Sequence, residues 1–210
     1  MSKAELNSFI LGMIGTNCYL LTNKDTKETI IIDPADDARS ISSFIELHDL
    51  KPAAILLTHG HADHIMAAND LRDRYSLYVY VHQKERELLG DVKLNCSTLL
   101  LGRPMTVKPD VLLRDDQILD LAGFSIKVIY TPGHTIGGCC YYIEDEKMLF
   151  SGDTLFQSSV GRTDFPTGSY RQIIDSVKML LNTLPEDVVV YPGHMGKTTI
   201  GFEKKCNPFI

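Results

Sequence analysis

The chain has 210 residues, 44% hydrophobic and 23% charged, a balance that excludes a disordered polymer and leaves room for one substantial core. A formal charge of -6 excludes the dense Lys/Arg surface that a phosphate backbone requires, so nucleic acid is not an expected partner. No stretch approaches the roughly 18 to 20 apolar residues of a membrane span, and the opening MSKAELNSFILGMIGTNCYLL lacks the basic, apolar and small-residue succession of a secretory leader, so a cytoplasmic protein with no membrane partner, monomer or homodimer, is expected.

From the amino end, NCYLLTN at 17–23 and ETIIIDP at 28–34 are predicted strands, since β-branched and aromatic residues run between turn formers and the polar turn Lys24 to Lys27 joins them. After Pro34, Ala38, Ile41 and Ile45 recur at helical spacing, with Asp36 or Asp37 as the N-cap. AAILLT at 53–58 is a short continuous apolar run, the pattern of a strand buried on both faces. A helix from about Ile65, a strand LYVYVH at 77–82 and a short helix QKERELL at 83–89 follow. Residues 90 to 109 show no period and read as a long surface loop. In the second half FSIKVIYT, GCCYYIE, KMLFSG and DVVVYPG are strands, and a helix near Ser169 to Leu181 carries the stripe Tyr170, Ile173, Val177 and Leu180. Two strand-rich halves, each with helices, predict one α/β domain over 1–210, two sheets face to face with helices outside. Five cysteines, Cys18, Cys96, Cys139, Cys140 and Cys206, are odd in number and lack CxxC spacing, so buried reduced thiols are expected.

The stretch LLTHGHADHIMAAN places His59, His61, Asp63 and His64 directly after a buried strand. In extended backbone His59 and His61 point to the same side, and Asp63 and His64 continue into a turn that can face a second point nearby. His134 in YTPGHTIGG, Asp153 in FSGDTLF and His194 in VVYPGHMG also follow apolar strands and sit beside glycine. A lone histidine at a strand end is an ordinary polar residue, and His48 and His82 are read that way. Five of seven histidines at such junctions, with aspartate or glycine beside them, point instead to metal. Asp153 alone fits a cap or turn as well as a ligand, and only the other ligands decide it.

THGHADH, followed by PGHT, SGDTLF and PGH, resembles the complete ligand series of the metallo-beta-lactamase fold, an αββα four-layer sandwich with one or two metals along an edge. The resemblance implies His59, His61 and His134 on a first metal, Asp63, His64 and His194 on a second, and Asp153 as the bridge. It implies two Zn²⁺, with iron or manganese as alternatives. GDTLFQSSVGRTDFPTGS and PGHMGKTTIGFEKKCNPF are most similar to the short hydroxyacylglutathione hydrolase (glyoxalase II) branch, which implies a small thioester substrate and a metal-activated hydroxide that Asp63, as the catalytic residue, orients. The sequence departs from that branch in two places. The C-terminal helical domain that supplies basic residues to glutathione in the larger enzymes has no counterpart before Ile210, and the family's DPG reads IDPADD, which retains Asp33 but changes the turn.

No nucleophilic Ser or Cys is needed, and Cys96, with no histidine beside it, reads as an inert thiol or a substrate-loop residue. Thr58 is either a hydrogen-bond partner behind the ligands or an ordinary strand-end threonine. Arg162 with Asp164 reads first as a loop-fixing pair and second as an anion contact. TTIGFEKK reads first as a docking helix, with Lys204 and Lys205 as the alternative carboxylate contact. Three rivals stand beside thioester hydrolysis. Persulfide dioxygenases of the same fold share HADH and GRTDF and use one iron on the equivalents of His59, His134 and Asp153. Hydrolases of lactones or other esters share the fold, and nucleic-acid-processing members need a basic groove that the charge balance does not offer.

Overall fold

The computed structural model describes residues 2–210. Its first sheet contains β1 (Ala4–Leu11), β2 (Thr16–Asn23), β3 (Glu28–Ile32), β4 (Lys51–Leu56), β5 (Val79–His82) and β6 (Val111–Leu113), in that spatial order. β1, β2 and β3 pair antiparallel, then β3, β4, β5 and β6 run parallel. The second sheet contains β7 (Ile118–Leu121), β8 (Phe124–Tyr130), β9 (Cys139–Ile143) and β10 (Met148–Gly152), then β13 (Val189–Pro192) and β14 (Thr198–Thr199). A separate ribbon pairs β11 (Leu155–Phe156) with β12 (Ser159–Val160). The helices are α1 (Ala38–Leu47), α2 (Ala62–Ile65), α3 (Ala68–Tyr75), α4 (Arg86–Gly90), α5 (Ser97–Leu101), α6 (Tyr170–Thr183) and α7 (Ile200–Cys206).

The two-residue period of a strand builds the layers. In β3, Ile30 and Ile32 join the core between the sheets, while Ile31 points outward to Ile41 and Ile45 of α1 and Leu71 of α3. In β9, Cys139, Tyr141 and Ile143 face the inter-sheet core, and Cys140 and Tyr142 face Val177 and Leu180 of α6 and Ile200 of α7. Both faces of each sheet are therefore apolar. The arrangement is the αββα sandwich.

Some local expectations hold and others change. Asp37 is the N-cap of α1, accepting from the Ser40 amide at 3.1 Å. β1 and the short β6, β7, β11, β12 and β14 have no counterpart among the predicted strands, and the stretch 90–109 is not irregular throughout, since α5 forms within it. Tyr170 leaves the predicted stripe of α6, being 60% exposed as the first residue of the helix, whereas Ile173, Val177 and Leu180 are buried. Cys206 is exposed on the last turn of α7, while the other four cysteines are buried and free.

The parallel strands β3, β4, β10 and β13 leave their C-terminal ends along one edge, where an α/β sheet binds ligands. Asp33, the segment 58–61, Asp153 and His194 follow those ends directly.

Candidate metal centre

β4 delivers His59 and His61 into a loop, and the single turn of α2 then carries Asp63 and His64. The loop after β8 brings His134, β10 ends beside Asp153, and β13 ends beside His194. One ligand atom from each of His59, His61 and His134 lies within 4.8 Å of the others, and the same holds for Asp63, His64 and His194. Asp153 stands between the two groups: its Oδ2 is 3.4 Å from Nε2 of both His134 and His194, and its Oδ1 is 3.3 Å from His64 Nε2. All seven predicted site residues thus converge. Asp33 also lies within reach of His59 and His64. Its carboxylate is already engaged, accepting from the Thr58 amide at 2.7 Å, the Thr58 hydroxyl at 2.6 Å and His64 Nδ1 at 3.0 Å. It orients ligands rather than joining them.

Hydrogen bonds behind the imidazoles fix which nitrogen faces inward. His64 Nδ1 donates to Asp33, and His134 Nδ1 donates to the Arg162 carbonyl at 2.8 Å. Since the Thr58 hydroxyl hydrogen goes to Asp33, its oxygen is left to accept from His59 Nδ1 at 3.2 Å. Each ring then directs Nε2 into the cluster. Of the seven buried side-chain atoms without a hydrogen-bond partner among the described residues, four belong to the cluster, His59 Nε2, His61 Nε2, His64 Nε2 and Asp153 Oδ1, and His61 Nδ1 faces His134 Nε2 at 2.8 Å. Orphaning one buried polar group costs about 1–3 kcal/mol. Several at one point fit a cation, and a set of imidazole nitrogens and carboxylates suits a divalent transition metal.

The electrostatics divide the site in two. Burial pushes His59, His61 and His134 below the usual imidazole range, reinforced by neighbouring histidines, and His61 reaches about 3. Those three rings are neutral donors. Burial opposes charge on His64 and His194 as well, but Asp153 and Asp63 outweigh it, so His64 rises well above the usual value and His194 reaches about 9. Burial likewise opposes ionisation of Asp63 and Asp153, and the adjacent imidazoles overcome it, taking Asp63 to about 2 and Asp153 well below the ordinary carboxylate range. Without a cation, protons on His64 and His194 offset the two carboxylates.

Close backbone approach requires glycine at two points. A Cβ on Gly193 would lie 2.2 Å from Asp153 Oδ1 and 2.6 Å from His64 Cε1, and one on Gly152, at φ +47, would lie 2.3 Å from the Thr58 hydroxyl. Glu85, fully buried, accepts from the amides of Gly60 at 2.9 Å and Gly137 at 2.6 Å. It clamps the loop of His59 and His61 to the loop of His134. Thr16 donates to Asp63 Oδ2 at 2.8 Å.

Sequence reasoning missed the roles of Thr16 and Glu85 and noted Asp33 only as retained, although Asp33 occupies the same strand-end position as the ligands. Thr58 proves to be a partner behind them. The Arg162 guanidinium meets Asp164 in two bonds of 2.7 Å while its carbonyl holds His134, which is the loop-fixing role. α7 docks through buried Ile200 and Glu203, and exposed Lys205 pairs with Glu186. His82 is away from the cluster, stacked on Tyr130 at 4.6 Å, and His48 sits against Phe44 at the end of α1. Burial, then the Asp63 charge, raises the Cys96 thiol, so it is no ready nucleophile.

The family model of the metallo-beta-lactamase superfamily matches residues 11–194. Among relatives, a probable metallo-hydrolase, YqgX, of Bacillus subtilis is 39% identical over 95% of this chain and 94% of its own. The hydroxyacylglutathione hydrolase GloC of Haemophilus influenzae is 36% identical over 92% of each. Among solved structures, the BLEG-1 B3 metallo-beta-lactamase superposes with a TM-score of 0.93 at 45% identity, covering 98% of this chain and 99% of that one. TTHA1623 in a di-iron-bound form superposes with a TM-score of 0.88 at 33% identity, covering 97% of this chain and 100% of that one.

Proposed function

The chain belongs to the metallo-beta-lactamase superfamily, and we propose that this metallo-hydrolase acts on small thioesters of the S-2-hydroxyacylglutathione kind. The observation that carries the reading is Asp153, within 3.4 Å of a histidine in each of two complete ligand groups. His59, His61 and His134 would hold one cation, Asp63, His64 and His194 a second, with Asp153 shared. Zinc suits this donor set, as do iron and manganese, and the likeness to the di-iron-bound TTHA1623 keeps iron in view. Such cations supply, when bound, polarisation of the thioester carbonyl and a water acidic enough to ionise near pH 7.

The chain's own groups then set the geometry. Asp63 is anionic at neutral pH, one of its oxygens is already fixed by Thr16, and its free lone pairs can accept a proton of the attacking water and hold that water in line with the carbonyl carbon. The neutral rings of His59, His61 and His134 add no positive charge that would repel a cation. Burial of the ligands excludes bulk water and strengthens each of these interactions. Net consumption is one water per thioester, giving a 2-hydroxy acid and a free thiol. The thioester rather than another ester is supported by the GloC relative, similar over nearly the whole of both chains.

Metal content of the purified protein, measured together with hydrolysis of lactoylglutathione, a β-lactam and a simple lactone, tests the reading. Two bound cations per chain and a preference for the thioester are expected. Oxygen uptake with a persulfide and a single iron, or turnover confined to the β-lactam or the lactone, would overturn it.

A further inference from the structure

The ribbon of β11 and β12 leads from Asp153 to Arg162, so it joins the residue shared by the two ligand groups to the carbonyl that fixes His134. Its return leg closes on the site: a Cβ on Gly161 would lie 1.8 Å from the Asp153 carbonyl oxygen and 3.3 Å from His134 Cβ. Its tip is strained. Ser158 stands at φ +54, a left-handed conformation that a residue with a side chain keeps only where surrounding contacts enforce it. Those contacts come from α7 and the turn after it. Glu203, wholly buried, accepts from the Ser158 amide at 2.9 Å, the Thr198 hydroxyl at 2.5 Å and Asn207 Nδ2 at 2.9 Å. Asn207 Nδ2 also donates to the Ser159 carbonyl at 3.1 Å.

Resting on the ligand roles given to Asp153 and His134, we infer that Glu203 is a positioning residue of the metal centre: by holding the tip of the ribbon it sets where the Asp153 carboxylate and the His134 ring stand. Docking of α7 does not by itself call for an acid at this place. Ile200 already seats the helix in the cluster of Val177, Leu180 and Val190, and burying a carboxylate has a desolvation cost that an apolar side chain avoids. The acid instead matches donors on the ribbon and on the turn behind it. The lever is short, since Ser158 is five residues from Asp153 and four from Arg162, and a tip released toward negative φ carries both ends with it. The second ligand group borders the same ribbon, with the Phe156 ring edge-on to His194 at 6.1 Å.

The test compares the unaltered protein with Glu203→Ala, Glu203→Gln and Asn207→Ala, each loaded with zinc for turnover and with cobalt, whose visible bands report ligand geometry. Glutamine keeps an oxygen for Ser158 and Asn207 and presents its amide to the Thr198 hydroxyl, which can accept; alanine replaces none of these. With lactoylglutathione, kcat per bound metal falls about 10- to 100-fold in Glu203→Ala at little changed KM, whereas Glu203→Gln stays within about threefold of the unaltered enzyme. The cobalt bands shift in the alanine variant and not in the glutamine variant. Amides of residues 155–162 exchange faster in Glu203→Ala while those of β4 keep their protection. A Glu203→Ala protein that is less stable yet keeps its kcat and its cobalt bands would make Glu203 a part of the fold alone and overturn the inference, as would a glutamine variant as impaired as alanine. Should Glu203→Ala not fold, the milder Asn207→Ala moves the same readouts in the same direction, and unchanged bands and kcat there overturn the inference. Failure of the unaltered protein to hold any cation would remove the ligand roles beneath it, while a loaded protein inert toward the thioester leaves the bands and the exchange to decide.

Discussion

Asp153 is the residue on which the two ligand groups meet, so its loss is predicted to affect both. Asp153→Ala or His61→Ala abolishes turnover and lowers bound metal, as metal analysis after gel filtration reports, whereas Cys96→Ser leaves both nearly intact; an inactive Cys96→Ser enzyme with full metal would return the thiol to the mechanism. The protons on His64 and His194 give a pH prediction. Because His194 titrates near 9 without a cation, metal entering at pH 7 must displace protons, so apparent affinity rises with pH toward about 9 and calorimetry in buffers of different ionisation enthalpy registers proton release. The same raised value means that His194 stabilises the metal-free fold fully below its usual 6.5, and that this contribution is lost as pH climbs through about 9. Asp63 acts at the opposite limit: its contribution is present above the ordinary 3.8 and is lost as pH falls toward about 2. Equal metal affinity at pH 6 and pH 9 would contradict the charge pattern.

Elements, taken one at a time, place ligands only roughly; contacts between loops give the final ångström. Glu85 shows this, since its two oxygens serve two different histidine-bearing loops. Glutamine there can accept at one oxygen only and presents an amide donor to the other backbone N–H. Glu85→Gln is predicted to cost about 1–3 kcal/mol in urea unfolding and to weaken metal retention. Gly193→Ala is predicted to act on the site more than on the fold, because its new Cβ meets Asp153 and His64 rather than the core. Misplacing reactive groups by about 1 Å costs roughly 100-fold in rate, and the kcat of a well-folded Gly193→Ala protein measures it. Such contacts lie beyond any local pattern: Glu85 sits in QKERELL as one more charged helix residue, and Gly137 is 52 positions away.

At the scale of the whole molecule, the site is a seam between the two sheets. The Cys139 amide of β9 donates to the Thr58 carbonyl at 2.9 Å, the Asn17 amide of β2 donates to the Gly193 carbonyl at 2.7 Å, and the Tyr141 hydroxyl reaches the Leu57 carbonyl at 2.7 Å. Each bond ties one sheet to the other just behind the ligands. Tyr141→Phe keeps the ring in the inter-sheet core but leaves the buried Leu57 carbonyl only the Cys139 thiol, at 4.0 Å, as a donor. It is predicted to lower unfolding free energy by about 1–3 kcal/mol and to loosen metal binding without touching a ligand, whereas an unaltered denaturation midpoint would show that this bond does not couple the sheets.

The sequence by itself picked out the seven side chains that converge at the sheet edge and the layered architecture. His59, His61, Asp63 and His64 are contiguous, the other three ligands sit in short glycine-marked strand ends, and alternation or continuous apolar runs identify strands without reference to their partners. Only the tertiary structure decided the rest. Asp33 and Thr16 serve the candidate metal side chains through bonds to residues 31 and 47 positions distant, and α5 forms against α2 in a stretch with no period of its own. A local pattern reports the periodicity of one element, whereas an ion pair, a clamp or a cleft belongs to two elements that sequence separates and packing joins.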